Sequence, residues 1–300
     1  MSPQNKLHRF IFDAHPIRGN LVQLNSTFNE ALAHHAYPTL IKNALGELMA
    51  AAALLISTLK MDGVLILQIQ GKGALRLLVV ECDSDLRIRA TAKWDEKWTD
   101  DLNNGVGNLA FVDLVKNGHF IITLDPKKGE AYQGIVGIEG ATIAEMLQHY
   151  MMRSQQIDTA LWLECDGIRA AGMLLQKLPD VGNIDLDADA WNRINQLANT
   201  VTADELQTLS ANTLLSRLFA EEDVRLFEPA TVQFHCSCSQ TSVASMLHML
   251  GAEELNGILA ELGKIEVNCD FCNRQYVFDA VDTTQLLITQ TPVSASPAKH

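Results

Sequence analysis

The sequence predicts an α+β N-terminal domain over residues 1–179, an acidic helical linker over 180–230 and a small C-terminal domain over 231–300. Three observations support this division. Strand-like and helix-like runs in the first part do not alternate strictly, which favours an α+β fold over a doubly wound sheet. The middle part keeps a helical apolar spacing but is acidic. The last part holds four of the six cysteines of the 300-residue chain.

Apolar or alternating runs bounded by Gly or Asp predict the strands of the first domain. In chain order these strands are 7–13, 19–24, 63–73, 74–83, 85–92, 118–126, 131–140, 159–165 and 167–178. Residues 37–60 predict a long helix that begins after Pro38. Residues 140–155 predict a helix capped by Thr142, with Glu145 three positions on. Asp166-Gly167 predicts a hairpin turn between the last two strands.

The middle segment combines negative charge with helical periodicity. From Asp180 to Glu228 it carries ten acidic and three basic residues. Its apolar residues recur at helical spacing: Trp191, Ile194, Leu197, Val201, Leu206, Leu209, Leu214, Leu215, Leu218 and Phe219. This pattern predicts two or three short amphipathic helices. An ordinary helical linker and a conditionally stable segment, whose apolar stripe a neighbouring domain must cover, both remain open.

The C-terminal domain is predicted as two short helices followed by a hairpin. The helices, 241–251 and 252–263, each end at a glycine. The hairpin strands are 264–269 and 274–280, with the Cys269–Cys272 pair at the turn. The Pro- and Ser-bearing tail, 291–300, is predicted to be disordered.

Charge and hydropathy argue against several classes of partner and location. The formal net charge of −13 disfavours a nucleic-acid or anionic-membrane partner. The N-terminus shows no apolar signal-peptide stretch. The longest apolar run, Ala44–Leu59, is shorter than the roughly 20 residues a bilayer requires and contains Glu47. A buried core helix and a soluble, cytoplasmic protein are therefore expected.

The six cysteines fall into two groups. Cys82 and Cys165 each end an apolar run and are interpreted as small buried hydrophobic residues. The other four form C-x-C and C-x-x-C pairs: Cys236, Cys238, Cys269 and Cys272. Four thiolates close a tetrahedral shell around Zn²⁺ and leave no open catalytic position. The sequence thus predicts a zinc-binding domain holding one Zn²⁺ per chain on these cysteines, without the nearby His235 and His248.

The close spacing of the cysteines within each pair also suits redox chemistry. A module of about 70 residues draws roughly 3–5 kcal/mol from its own core, whereas a structural zinc contributes on the order of 10–16 kcal/mol. Oxidised thiols beside a second thiol condense to disulfides. Oxidation is thus expected to eject the metal, leave Cys236–Cys238 and Cys269–Cys272 bridges, and unfold the module locally.

Two other functions compete with a switch. A zinc-ribbon nucleic-acid binder is disfavoured, because Thr231–Asp282 contains two basic and seven acidic residues. A thiol-disulfide oxidoreductase remains the enzymatic alternative. It would place C-x-x-C at the start of a helix in a βαβ unit, whereas here the pair lies in a predicted hairpin.

Several stretches carry a resemblance to a known family. They are CSC at 236–238, CDFC at 269–272, YQGIVGIEG at 132–140, YMMRSQQI at 150–157, AAGMLLQKLP at 170–179 and the start LHRFIFD with IRG. Over nearly the whole chain these resemble the redox-regulated heat-shock chaperone family, the 33 kDa chaperonins. Cys82 and Cys165 are not part of the family's motif.

The resemblance implies a cytoplasmic, ATP-independent holdase of the stress response, a binding protein and not an enzyme. In it, Cys236, Cys238, Cys269 and Cys272 are both the zinc ligands and the redox-active disulfide partners. The reduced, zinc-loaded monomer has low activity. Hypochlorite, or peroxide with unfolding conditions, releases zinc and forms two disulfides. The linker then unfolds, the chain forms a homodimer and binds unfolding client proteins, which pass later to a DnaK-type foldase system.

Overall fold

The computed structural model describes residues 5–104, 111–179, 187 and 189–289. The chain divides into two compact units, Met1–His235 and Cys236–His300. The predicted three-part division into 1–179, 180–230 and 231–300 stays a prediction. Residues 180–186 and the tail predicted to be disordered lie outside the described residues.

The first unit contains two sheets. Its strands are β1 Lys6–Phe12, β2 Ile17–Leu24, β3 Gly63–Gln70, β4 Leu75–Asp83, β5 Arg87–Trp94, β6 His119–Pro126, β7 Tyr132–Gly137, β8 Thr159–Cys165, β9 Ala170–Lys177, β10 Val224–Leu226, β11 Ala230–Thr231 and β12 Gln233–Phe234. One sheet has the order β10-β1-β2-β9-β8, with β11 also paired to β1, and the other has the order β12-β5-β4-β3-β6-β7. The pairs are antiparallel except β12 with β5. The predicted α+β class is confirmed.

The helices of the first unit connect and cover these sheets. They are α1 Ser26–Leu32, α2 Thr39–Ile56, α3 Thr99–Asn104, α4 Phe111–Val115, α5 Ile143–Tyr150, α6 Ala190–Ala198, α7 Ala203–Thr208 and α8 Ala211–Leu218. A 3₁₀ turn, Glu96–Trp98, precedes α3, and a π-helical turn, Met151–Gln155, follows α5. The Thr142 hydroxyl accepts from the Glu145 N–H at 3.2 Å, as the predicted cap requires.

Helix α2 is the centre of the main core. It packs against β2, β8 and β9 of one sheet and against β3, β4 and β5 of the other. By length and composition it is the one described helix that could cross a membrane, yet 72% of it is buried inside the protein. A helix with apolar residues all round is expected in such a position. The predicted core helix is confirmed.

The acidic segment forms three helices that cover the second face of the first sheet. Alternation along the strands sends Leu174 into the core around α2 and Met173 and Leu175 into a separate core. This second core joins the apolar sides of α6, α7 and α8 to the sheet: Ile194, Ala198, Leu206, Ala211, Leu214, Leu215, Leu218 and Phe219 meet Phe10, Phe12, Ile17, Leu21 and Ala171. The predicted amphipathic helices are therefore present, and a sheet covers their apolar stripe.

One buried polar contact also fastens the acidic segment to the sheet. Gln23 on β2 is 6% exposed. Its amide donates to the carbonyls of Leu206 and Leu209 at 2.8 and 2.9 Å. These carbonyls lie at the end of α7, where helix geometry leaves the last carbonyls without a partner inside the helix. The segment is thus held both by apolar burial and by a specific hydrogen bond.

The second unit is small. It contains α9 Gln240–His248, α10 Ala252–Leu262, the hairpin β13 Ile265–Asn268 and β14 Gln275–Phe278, and α11 Ala280–Thr289. Gly263 ends α10 in the left-handed region, as predicted. Gly251, predicted to end the preceding helix, is instead the N-cap of α10 with φ 89°, and α9 already ends at His248. Four helices, α1, α3, α4 and α11, and the short strands β10–β12 were not predicted from the sequence.

Candidate metal centre

The four clustered cysteines come from two connections of the second unit. Cys236 and Cys238 lie in the irregular stretch before α9, whose N-terminus is capped by the Ser239 hydroxyl. Cys269 follows β13 directly, and Cys272 lies in the turn that leads to β14. Residues 31 or more positions apart in the chain (269 − 238 = 31) are therefore brought together by the hairpin and by the stretch before α9.

The C-x-x-C turn has a defined backbone geometry. The Asn273 N–H donates to the Cys269 carbonyl at 2.8 Å, and the Cys269 N–H donates to the Arg274 carbonyl at 2.9 Å. Asn273 adopts φ 52°, a left-handed conformation that Asn tolerates better than most residues. This turn closes the hairpin and directs the two sulfurs to the same side.

The sulfur positions fit a tetrahedral metal site. All four Sγ atoms lie within 4.8 Å of one another. The Cys236–Cys269 Sγ atoms are 3.7 Å apart, and the Cys238–Cys272 Sγ atoms are 3.4 Å apart. With Zn–S bonds of about 2.3 Å, the edge of a ZnS₄ tetrahedron is about 3.8 Å. The donor set and spacing thus suit Zn²⁺, and the cluster consists of cysteines alone.

Hydrogen bonds around the sulfurs favour ionised thiols at part of the site. Burial opposes ionisation of Cys238, but the Tyr276 hydroxyl, which donates to its Sγ at 3.1 Å, and the neighbouring thiols lower its pKa to about 7. Burial, together with the thiols beside it, raises the pKa of Cys272 to about 12. One thiolate among protonated neighbours is what a thiol cluster adopts before a cation binds, since each further negative charge needs compensation.

Arg274 and Tyr276 lie beside the sulfurs and were not predicted from the sequence. The positive charge of Arg274 acts on Cys238 and Cys272, and the Arg274 N–H donates to Cys272. Tyr276 is 8% exposed and belongs to the small core of the unit. Its inward position follows from strand alternation after the turn, so the RQY sequence contained the signal.

The two remaining cysteines lie in the first unit and lack such activation. Cys82 is fully buried in the main core, and desolvation raises the pKa of its thiol far above the ordinary value. Cys165 is partly buried, and desolvation raises its pKa to about 12. Neither thiol forms an appreciable amount of thiolate near neutral pH, which agrees with their interpretation as packing residues.

Comparison with known proteins places the chain in a family. The family model described as Hsp33 protein matches residues 5–279. The chain belongs to the Hsp33 family. It is 54% identical to the 33 kDa chaperonin of Methylobacillus flagellatus, with 100% of both chains covered. It is 46% identical to the 33 kDa chaperonin of Chromobacterium violaceum, covering 100% of this chain and 99% of that protein.

A solved structure supports the fold of this Hsp33 family member. The crystal structure of the 33 kDa chaperonin from Thermotoga maritima matches with a TM-score of 0.78 at 24% identity, covering 94% of this chain and 98% of that chain. Family membership supports a chaperone role in the stress response. The predicted family resemblance is confirmed.

Proposed function

We propose that this chain is a redox-regulated, ATP-independent holdase whose switch is the four-cysteine cluster. The observation that carries the proposal is the convergence of four sulfurs within 4.8 Å inside a unit whose own apolar core is small. Its core among the described residues comprises six buried apolar side chains, Val243, Leu247, Leu255, Ile265, Tyr276 and Phe278. A core of that size leaves the fold dependent on the metal.

Zinc, when bound to Cys236, Cys238, Cys269 and Cys272, supplies cross-links between the stretch before α9 and the hairpin. The protein prepares that site with the Asn273 turn and with the Tyr276 and Arg274 donors. Cysteines must lose their protons to bind the metal, so zinc loading releases protons and weakens as pH falls.

Oxidation would proceed by ordinary thiol chemistry. A thiolate attacks a peroxide oxygen, the O–O bond breaks, and sulfenic acid and hydroxide form. A second thiolate attacks that sulfur and displaces hydroxide, so that two sulfurs together give two electrons to one peroxide. We propose bridges within the pairs, Cys236–Cys238 and Cys269–Cys272. Once the unit unfolds, partners two or three residues apart meet far more often than partners more than 30 residues apart.

Activation would then pass to the acidic segment. Helices α6–α8 are short and cover the sheet face that bears Phe10, Phe12, Leu21, Met173 and Leu175. If the segment leaves that face, both apolar surfaces become exposed. Exposed apolar surface of that kind binds unfolding chains. Family resemblance supports this coupling, together with a homodimer in the oxidised form, hand-over to a DnaK-type foldase system and a cytoplasmic location.

The experiment measures bound zinc, free thiols and suppression of client aggregation before and after peroxide treatment. The expected result is about one zinc per chain in the reduced protein, lost as aggregation suppression appears. The variants Cys269→Ser and Cys272→Ser should lose the switch, and Cys165→Ser serves as the control for losing one thiol. Retention of zinc after oxidation, or normal switching of the Cys269 and Cys272 variants, would show that the mechanism is wrong.

Peptide mapping of the oxidised protein tests the pairing separately. Bridges Cys236–Cys269 and Cys238–Cys272 are the competing outcome, because those sulfurs are neighbours in the folded unit. A thiol-disulfide oxidoreductase, in contrast, would catalyse repeated reduction of disulfide substrates without loss of zinc.

A further inference from the structure

A cavity of about 380 Å³ in the first unit gathers three cationic side chains, Arg9, Arg18 and Lys60. Small-molecule sites typically have about 300–1,000 Å³. Among its lining residues that the structure describes, none is an Asp or a Glu. The chain as a whole has a formal net charge of −13. This cavity is therefore a local concentration of positive charge in an acidic protein.

The fold places the three cations on one side of a sheet. Arg9 on β1 lies opposite Asn20 on β2, and Arg18 is two residues from Asn20, so both guanidinium groups lie on the face that α2 covers. Phe227, just after β10, donates its N–H to the Arg9 carbonyl at 2.9 Å. Lys60 follows the end of α2. Four separate segments thus contribute to the cavity.

These cations have no anionic partner in the described part of the chain. None of the ion pairs there includes Arg9, Arg18 or Lys60. Arg18 is partly buried, and its Nε and Nη2 donate to the neutral Gln176 Oε1 at 3.0 and 2.6 Å. Burial without a counter-charge lowers the pKa of Arg18. A partly desolvated cation in this condition gains from an added anion.

The end of α2 does not account for this charge. A helix C-terminus carries roughly half a negative charge. Its last carbonyls are already satisfied by uncharged donors: Asn20 and Ser57 donate to the Leu54 carbonyl, and Thr58 donates to the Leu55 carbonyl. The three full positive charges exceed the half negative charge of the helix end, so the cavity keeps a net positive potential. The cations are therefore not needed to cap α2.

We infer that this cavity binds a small organic phosphate, with two or more negative charges and an apolar or flat organic part. The negative charges of the phosphate would pair with Arg9, Arg18 and Lys60. The organic part matches Phe227, which is 41% exposed, and Leu59 in the same lining. The site shares no residue with the cysteine cluster. Because Phe227 belongs to the acidic segment, the inference concerns the reduced protein, in which that segment is packed on the sheet.

Calorimetric titration of the reduced, full-length chain tests the site at constant ionic strength. The probes are inorganic pyrophosphate, which presents charge alone, and 1-naphthyl phosphate, which adds a flat ring. The test variant combines Arg9→Gln with Lys60→Gln, both on exposed side chains. The matched control combines Lys97→Gln with Lys128→Gln, which are also exposed, alter the net charge equally and lie outside the cavity lining.

Pyrophosphate affinity should fall by at least about tenfold in the test variant, because each charged hydrogen bond contributes that much. The control should stay close to the parent protein. Phe227→Ala should weaken 1-naphthyl phosphate but leave pyrophosphate unchanged. Absence of pyrophosphate binding by the parent protein, or equal losses in test and control variants, would overturn the site. An unchanged affinity of Phe227→Ala for 1-naphthyl phosphate would overturn its organic part.

Discussion

Truncating one core residue of the acidic segment should activate the reduced protein. Leu214 on α8 is completely buried between the segment and the first sheet. Leu214→Ala removes buried methyl groups and leaves a cavity, which costs about 2–5 kcal/mol. If the segment opens as a local unit, that cost shifts its opening equilibrium by about 30- to 5,000-fold. The proposed function then predicts aggregation suppression without oxidant.

The matched control is Leu67→Ala. Leu67 on β3 is equally buried but belongs to the core around α2. It should lower the free energy of unfolding by a similar amount without selectively loosening residues 190–219. Hydrogen exchange measures opening of that segment, urea unfolding measures stability, and client light scattering measures activity, all under reducing conditions.

Two outcomes would contradict this reasoning. Leu214→Ala could speed exchange in α6–α8 and yet stay as inactive as the parent protein, which would separate opening of the segment from chaperone activity. Alternatively, Leu67→Ala could activate as strongly as Leu214→Ala. General destabilisation, not exposure of this particular face, would then explain the gain.

Three further predictions concern charge and metal. Glu47→Gln should stabilise the protein at pH 8 but not at pH 4. Burial, and then the nearby Glu164, raise the pKa of Glu47 from 4.5 to about 7. The neutral carboxyl therefore favours the folded state below pH 4.5, and that contribution, on the order of 3 kcal/mol, is lost as the pH rises through 7. A flat difference in urea unfolding between variant and parent across pH 4–8 would refute this. Tyr276→Phe, which removes the donor to Cys238, should weaken zinc retention against a competing chelator by roughly 10–100-fold. An unchanged zinc affinity would show that the hydroxyl does not contribute to metal binding. Stripping zinc with a chelator should abolish exchange protection in β13 and β14 while the strands around α2 stay protected; persistent protection of the hairpin would show that its core suffices.

Local signals in the sequence predicted much of the first unit and all four cysteines of the metal cluster, but not its neighbours Arg274 and Tyr276. The Asp166-Gly167 turn and the flanking apolar runs predict β8 and β9 because turn and alternation agree. Thr142 predicts the start of α5 because a threonine with a glutamate three positions later is a helix-capping pattern. The four cysteines are recognisable because C-x-C and C-x-x-C spacing is itself the metal signature.

The missed elements divide into two kinds. Helix α11 had a readable start, since Asp279 and Asp282 cap each other reciprocally, but its Val, Thr and Ile content favours strands over helices. Strands β10–β12 had no local signal. Each is two or three residues long and pairs with β1 or β5, more than 140 positions away in the chain. Pairings of that kind are decided by tertiary packing.

The distribution of apolar cores within the chain is consistent with the proposed switch at the thiol cluster. The main core surrounds α2 with two sheets and needs no metal. The second core depends on three helices of six to nine residues, which are marginal unless packed. The unit with the cysteines has a smaller core still. A few kcal/mol removed at the sulfurs therefore exceeds the stability of that unit while leaving the sheets intact. The proposed holdase function requires this separation, because a surface that binds clients must rest on a part that stays folded.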